Sequence, residues 1–303
     1  MSPDGYGPPA GLVIYDLGTA WLECYPVDSK KSHECFHCYN DFVSPKETVQ
    51  SFYCDSAGEL LTAANDIGWK LGTSTPGRSE TNGVAETKVK KVVRGTTTIL
   101  DHAGFTPDWW PVGVRHFCFT NNFSAKGDSP YNKRFDKNFH GMSIPFGALV
   151  DFRRSNTRDP VGKFTPKAVA GIFLGYHLQP GGKWSGDYIV VELQELKAQR
   201  HYKHASIQRV KEVVKPCEIA FPLKKGYEAN RNPLEGFDLG TEVTDHGSCP
   251  APVKDGAETE EREDVALASS VGGIDDAPQP APKRRLIGVP IKKEIRLRKS
   301  NQR

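Results

Sequence analysis

The sequence predicts an α/β fold, a mixed sheet with flanking helices, followed by a small all-β region and a disordered tail. In residues 1–125 short β-prone runs alternate with helical runs, which is typical of a sheet covered by helices. In residues 144–196 the pattern changes to short strands separated by Pro, Gly and polar breaks. Beyond about Pro216 the apolar periodicity fades, and Asp, Glu, Gly, Ala and Pro dominate residues 238–282.

The chain starts with a predicted hairpin. Residues 12–16 and 20–26 are apolar and aromatic, and a short turn joins them. A helix is predicted next, from Asp28 or Ser29 to about Asn40, and a Ser-Pro pair ends it.

The following strand ends in an acidic residue. Residues 51–54 are β-prone and place Asp55 at the carboxyl edge of the sheet. A helix is predicted over residues 59–67, and Asn82-Gly83 opens a long helix after a Gly/Pro/Ser-rich break. Its predicted apolar stripe consists of Val89, Val92, Val93, Thr96, Leu100 and Ala103.

Asp55 and Glu86 are candidate metal ligands. A carboxylate at a strand end and another in the first turns of a nearby helix can converge on a divalent metal, because hard cations such as Mg²⁺ prefer oxygen ligands. By residue type alone, a solvated Asp and a helix-capping Glu are the alternative. The exposed side of the long helix is basic, with Lys88, Lys90, Lys91 and Arg94.

Two motifs around these acids resemble a known family. TSTPGRSETNGVAET is similar to the segment S-T-P-x-x-x-Q-x-N-G-x-x-E-R of integrases from copia-type retrotransposons, and DSAGEL resembles their motif D-N-x-x-E. The resemblance places Asp55 and Glu86 on the second and third positions of an Asp, Asp, Glu triad. The chain departs from the family in a shorter spacing between the two acids and in Thr87, where the family has Arg.

The resemblance also implies a domain organisation. It implies a ribonuclease H-like integrase catalytic core over residues 1–125, a connector over 126–143 and an SH3-like β-barrel over 144–215. The acidic and then basic tail over residues 216–303 is predicted to be disordered. The barrel has a basic edge that either meets DNA phosphates or is simply solvated, formed by Arg153, Arg154, Arg158, Lys163 and Lys167.

The first acid of the triad has two interpretations. In the family it lies on the first strand, but LVIYDLGTAWLECYPV resembles the second and third strands, so Asp16 is not the expected residue. Asp4 lies in a D-x-x-G-P motif that fits the family and is the candidate. The alternative is that the first strand and its Asp are missing and that Asp4 belongs to a frayed terminus.

Other residues with metal-binding or base-stacking chemistry have a structural interpretation. His33, Cys35, His37 and Cys38 cannot all face one zinc ion from a helix. The seven cysteines have irregular spacing, which predicts reduced thiols.

The segment TPDWWPVGVRHFCFTNNF resembles a tryptophan-bearing helix of the family that ends in an Asn, here Asn122, and its apolar residues are predicted to be buried. These are Trp109, Trp110, Val114, Phe117 and Cys118.

Composition limits the classes of protein. The net charge of +3 does not by itself indicate nucleic-acid binding, but residues 283–303 are strongly basic. Nuclear localisation, nucleic-acid binding and pairing with the acidic run upstream are all open for this segment. No membrane-length apolar run or signal peptide is present, so we expect a nuclear or cytoplasmic protein.

The resemblance implies an activity on DNA. Asp55, Glu86 and a first-strand Asp would hold Mg²⁺ or Mn²⁺ for 3′-end processing and strand transfer, without a covalent protein intermediate. Lys88, Lys90, Lys91 and Arg94 are the candidate phosphate contacts. The implied partners are the element ends and the target DNA, and a homo-oligomer is open. The alternatives are a catalytically degenerate or domesticated fragment that only binds nucleic acid, and an unrelated protein-interaction module that uses the barrel.

Overall fold

The structure is a computed structural model that describes residues 10–43, 47–73, 83–124, 127–154, 167–198, 202–224 and 283–292. The described residues form one compact unit.

The first sheet is mixed, as the sequence predicts. Its strands are β1 (Ala10–Asp16), β2 (Leu22–Val27), β3 (Thr48–Cys54), β4 (Leu71–Thr73) and β10 (Lys283–Lys292). They are arranged in the order β2-β1-β10-β3-β4. β1 is antiparallel to β2 and β10, whereas β3 is parallel to β10 and β4.

Helices cover both faces of this sheet. They are α1 (Ser32–Phe42), α2 (Gly58–Ile67), α3 (Gly83–Ala103) and α4 (Trp110–Phe123), which follows a 3₁₀ turn over Pro107–Trp109. α1 and α2 pack on the face that contains Ile14 and Phe52. α3 and α4 pack on the face that contains Val13. Val13 and Ile14 lie on opposite faces because successive side chains of a strand point to opposite sides of the sheet.

The second sheet is entirely antiparallel. Its strands are β5 (Leu149–Arg153), β6 (Ala168–Gln179), β7 (Lys183–Glu192), β8 (Ile207–Val210) and β9 (Val213–Val214), in the order β8-β7-β6-β5-β9. Two short helices complete the described elements, α5 (Pro130–Phe135) before this sheet and α6 (Leu193–Ala198) after β7. The all-β region that the sequence predicts is therefore a five-stranded sheet.

The two sheets share a hydrophobic core. One buried cluster contains Trp21 from the first sheet side, Phe119 from α4, and Phe173 and Tyr176 from β6. The rings of Phe119 and Tyr176 are 4.9 Å apart between centroids, within the range of favourable aromatic pairs. β6 of the second sheet thus packs on α4.

β10 corrects the prediction of a disordered tail for residues 283–292. Residues 225–282 and 293–303 of the predicted tail lie outside the described ranges. β10 lies between β1 and β3, at the centre of the first sheet, with Gly288 paired to Ile14 on one side and to Cys54 on the other. Its sequence, KRRLIGVPIK, combines basic residues with an apolar run that suits a buried strand. The prediction weighed the charge of the segment and missed this apolar run. Ala220, also in the predicted tail, accepts a backbone hydrogen bond from Leu149 at 2.8 Å.

The burial of the helices agrees with most of the predicted stripes. On α3, Val92, Thr96, Leu100 and Ala103 are buried and Val89 is half-buried, but Val93 is 43% exposed. Val93 follows Val92 by about 100° around the helix and so turns away from the sheet. In the tryptophan-bearing segment, Trp109, Val114 and Cys118 are buried, whereas Trp110 and Phe117 are half-buried.

The six cysteines within the described ranges are free thiols, and five of them are buried. None of the described helices has both the length and the apolar character needed to cross a membrane.

Candidate functional site

Asp55 lies directly after β3. Phe52 and Cys54 are fully buried in the core on the α1 and α2 face. The alternation of β3 therefore directs Asp55 to the opposite face, on which α3 packs. Its side chain is exposed, and Oδ1 accepts a hydrogen bond from the backbone N–H of Ser56 at 2.8 Å.

Glu86 lies in the first turn of α3 and is also exposed. Its Oε2 is 4.0 Å from Nζ of Lys90, one helical turn further on. Two residues after Glu86, Nζ of Lys88 lies 4.0 Å from the ring centroid of Tyr15. The start of α3 is therefore held over the carboxyl end of β1.

The sheet register relates the two acids. Tyr15 pairs with Ile287 on β10, and Ile287 pairs with Tyr53 on β3, two residues before Asp55. Neighbouring strands are about 4.8 Å apart, so the backbone of Tyr15 is on the order of 10 Å from that of Tyr53. Asp55 and the start of α3 thus lie on the same face of the sheet, on strands two positions apart.

Two exposed carboxylates suit a hard divalent cation, which takes its remaining oxygen ligands from water or phosphate. Among the described residues, no group of three or more His, Cys, Asp or Glu side chains is arranged to hold a metal ion. Asp4 lies outside the described ranges. The described part of the chain therefore brings two candidate ligands to this face.

Asp16 has a structural role. It is fully buried at the end of β1, where Oδ2 accepts a hydrogen bond from Thr19 Oγ1 at 2.6 Å and Oδ1 accepts one from the Gly18 N–H at 3.0 Å. These bonds close the loop of the β1-β2 hairpin.

The four basic residues of α3 differ in their surroundings. Lys88 packs on Tyr15, and Lys90 lies beside Glu86. Partial burial and then the charge of Lys88 lower the pKa of Lys91. Lys91 and Arg94 have exposed side chains. They lie about one and two helical turns beyond Lys88, which contacts Tyr15. A phosphate near Lys91 would oppose both effects on its pKa and favour its charged form.

The cysteines and histidines of α1 point to different environments. Cys35 and Cys38 are buried against the sheet, and burial raises their pKa values to about 11 and about 12. His33 and His37 are exposed, with ring centroids 6.5 Å apart. Since zinc binds thiolate rather than thiol, the burial of the two thiols disfavours a shared site.

The predicted basic edge of the second sheet is partly neutralised. Nη1 of Arg153 lies 3.3 Å from Oε2 of Glu212, and Arg154 forms a two-pronged ion pair with Glu192. Lys167 is exposed, while the remaining two candidates, at positions 158 and 163, lie outside the described ranges.

One further feature, a cavity, has no signal in the sequence. A cavity of about 570 Å³ lies between α1, α4 and β6, and Arg115, His116, Tyr176 and His177 are among its lining residues. Burial lowers the pKa of His116 to about 4, and the ring is therefore neutral near pH 7. These residues become neighbours only when the two sheets pack together.

Comparisons with known proteins support the resemblance seen in the motifs. No protein-family model matches the chain. The retrovirus-related Pol polyprotein from transposon RE1 of Arabidopsis thaliana is 24% identical over 206 residues, which is 63% of this chain and 14% of the relative. The corresponding polyprotein from transposon RE2 of the same plant is 24% identical over 179 residues, 55% of this chain and 12% of the relative. The resemblance to a retrotransposon Pol polyprotein is confirmed, and the chain spans about one seventh of these relatives or less.

Among solved structures, a cryoEM structure of a simian T-cell lymphotropic virus intasome in complex with PP2A regulatory subunit B56 gamma matches 68% of this chain and 72% of its own matched chain. The identity is 10% and the TM-score 0.32, values at which the two structures define no common fold in detail.

Proposed function

We propose that this chain is the integrase-type part of a retrotransposon Pol polyprotein and that it acts on DNA by metal-dependent polynucleotidyl transfer. The observation that supports this most directly is the shared face of the two acids. Asp55 follows β3, Glu86 lies in the first turn of α3, and α3 packs on the face of the sheet to which the alternation of β3 directs Asp55. The curated relatives are polyproteins of transposons, in agreement with the proposal.

The proposed fold is a ribonuclease H-like core followed by an SH3-like module. In support, β1 is antiparallel to both of its neighbours in the first sheet, β2 and β10, and β3 continues the sheet parallel to β10. The second sheet is small and antiparallel, with five strands. Their common core joins the two modules into one compact unit.

In the proposed reaction, Asp55 and Glu86 bind and orient a divalent metal, Mg²⁺ or Mn²⁺. When bound, the metal supplies neutralisation of the charge that develops on the attacked phosphate. Lys91 and Arg94 hold the DNA backbone along α3 through phosphate contacts, which position the duplex without reading its sequence. Water or a DNA 3′ hydroxyl is the nucleophile, so no protein side chain is required to form a covalent bond.

A second candidate function is nucleic-acid binding without catalysis, and β10 favours it. We infer that β10 takes the place of the strand that holds the first acid in this class of integrases, because it is the antiparallel neighbour of β1 and the parallel neighbour of β3. Its ten residues contain no Asp or Glu. The last pair between β10 and β3 is Gly288 with Cys54, and one residue further along both strands Val289 lies opposite Asp55. A third acid would have to come from another part of the protein, with Asp4 the candidate.

A strand-transfer assay on short duplex DNA tests the proposal. The intact chain is compared with Glu86→Gln and Asp55→Asn in the presence of Mn²⁺ and of Mg²⁺, and Asp66→Asn, an exposed acid on α2, is the matched control. We expect both site variants to lose activity by about 100-fold or more, the range for removal of one essential charged group, while the control retains it.

The outcomes separate the two candidates. Activity that depends on Asp55 and Glu86 supports polynucleotidyl transfer. No activity in the intact chain, together with DNA binding that weakens with salt, supports the nucleic-acid-binding function. If neither the intact chain nor any variant binds DNA, both candidate functions are wrong.

A further inference from the structure

The central strand of the first sheet comes from the far end of the chain. β10 pairs over seven residues with β1 and over six with β3, yet residues 225–282 separate it from the preceding described residue, Lys224. The strand therefore contributes two complete ladders of backbone pairing from a segment of ten residues. This is the arrangement of a strand that is added to a sheet rather than one that follows a neighbour along the chain.

The two flanking strands form a slot that needs an occupant. Without β10, the inner edges of β1 and β3 would present rows of unpaired N–H and C=O groups. The neighbouring side chains Leu12, Ile14 and Phe52 are at most 1% exposed, so the slot borders the deepest part of the core. We refer to the gap between β1 and β3 as the strand slot.

The fit of β10 in the strand slot is specific. A Cβ added to Gly288 would lie 2.7 Å from Cζ of Phe52 and 3.5 Å from Oη of Tyr39, so this position accepts only glycine without a rearrangement. Pro290, which has no backbone N–H, pairs with Leu12 of β1 but lies past Gly288, where the pairing with β3 ends. A proline inside the doubly paired stretch would remove a ladder bond, and Pro290 lies outside that stretch.

We propose that the strand slot is an interaction surface for residues 283–292 of a second copy of this chain, in addition to its own. Strand addition to an open sheet edge is a recurrent mode of peptide recognition, in which the ladder supplies affinity and single positions supply specificity. Here the added strand pairs with β1 on one side and β3 on the other, and Gly288 is the position at which a larger residue would be rejected.

The length of the connecting segment permits this exchange. Fully extended, residues 225–282 span up to about 190 Å at about 3.3 Å per residue, far more than the diameter of one unit of this size. A tether of this length sets an effective concentration in the millimolar range or below for the chain's own strand. Concentrated protein can therefore compete with it. This inference does not depend on the chemistry at Asp55 and Glu86.

Peptide binding to the full chain tests the proposal. The probe is a fluorescent synthetic peptide of residues 281–294, and the acceptor is full-length Gly288→Val, whose own strand meets the Phe52 ring and leaves the slot. We expect the wild-type peptide to bind this variant at least tenfold more tightly than it binds the wild-type chain, in which the resident strand competes. The matched control is the same peptide with Gly288→Val, which should bind neither chain.

Equal binding of the two peptides, or no binding to a folded Gly288→Val chain, would overturn the proposal. Where near-ultraviolet circular dichroism shows that the variant is unfolded, wild-type protein decides the question. Samples with ¹⁴N and ¹⁵N are mixed at high concentration in mild denaturant, diluted into buffer and examined by native mass spectrometry. Mixed dimers that the wild-type peptide suppresses support strand exchange, and their absence rejects it.

Discussion

Asn122 on α4 satisfies both backbone hydrogen-bonding groups of Leu22 on β2. The N–H of Leu22 donates to Oδ1 of Asn122 at 3.0 Å, and Nδ2 of Asn122 donates to the carbonyl of Leu22 at 2.8 Å. Among the described strands β2 lies at the edge of its sheet, and no described strand pairs with its outer side. Asn122 is 1% exposed, so the amide replaces water as that partner and joins α4 to the sheet edge.

Asn122→Ala should lower the free energy of unfolding by about 2 to 4 kcal/mol, because it leaves a buried N–H and a buried C=O without partners. Urea unfolding monitored by tryptophan fluorescence measures the change. Asn122→Asp keeps the acceptor for the Leu22 N–H but loses the donor to its carbonyl, and it should also be destabilising. A loss below about 0.5 kcal/mol for Asn122→Ala would show that water replaces the amide.

His116 should make stability depend on pH in the acidic range. Its Nε2 lies 3.1 Å from the carbonyl oxygen of Ile144, and burial lowers the pKa from the ordinary 6.5 to about 4. Between these values the unfolded chain binds a proton that the folded chain does not, so the free energy of unfolding falls as pH falls. The contribution is complete above pH 6.5 and is lost by about pH 4, and it amounts to about 3 kcal/mol.

The matched variant for this prediction is His116→Gln, whose amide can still donate to Ile144 but does not titrate. We expect the pH slope of the unfolding free energy between 4 and 6.5 to be smaller in the variant than in the wild type. Chemical denaturation at several pH values measures both slopes. Parallel slopes would show that His116 does not titrate differently in the folded and unfolded chains.

Gly95 on α3 should resist a substitution that usually stabilises helices. Replacing a helical Gly by Ala typically gains about 0.5 to 1 kcal/mol. Here a Cβ would lie 2.0 Å from a ring atom of Phe117 on α4, so we expect Gly95→Ala to be destabilising. The double variant Gly95→Ala, Phe117→Leu provides the control, because the smaller side chain makes room. A gain in melting temperature for Gly95→Ala alone would contradict this packing argument.

Arg94 should contribute to DNA affinity through phosphate rather than base contacts. Replacing one phosphate contact lowers the slope of log K against log salt by about 1 and weakens binding to all sequences alike. We expect Arg94→Gln to show this change in fluorescence anisotropy titrations at several salt concentrations. Lys137→Gln, an exposed lysine beyond α5, is the control and should leave the slope unchanged. A sequence-dependent loss in Arg94→Gln would indicate base readout instead.

Helices were predictable from the sequence because their signals are local. The apolar period of α3 and the strand-to-helix change after Asp55 lie within a few turns of chain, and α3 begins at Gly83, where the Asn82-Gly83 signal predicts its start. The hairpin was predictable for the same reason. Asn122 was identified through the family motif, but its role as the partner of Leu22 depends on the packing of α4.

The position of β10 could not be predicted in this way. Its pairing depends on β1 and β3, distant segments whose edges carry no sequence signal for a particular partner. The Gly and Pro within the segment also weaken its strand signal, although the structure uses both at positions where they fit. Asp55 and Glu86 were paired through the resemblance, whereas the face of the sheet on which α3 packs follows only from the folded structure.

Because β10 is synthesised last, the first sheet stays without its central strand during most of translation. Asp16 pairs with Leu286, which lies 270 positions later in the chain. At about 5 to 20 residues per second, a ribosome needs roughly 15 to 50 seconds between them. Through that interval the nascent β1-β2 hairpin and β3 remain without their common neighbour. Chaperones that shield unpaired strand edges during translation should therefore matter more for this chain than for one whose central strand is made first.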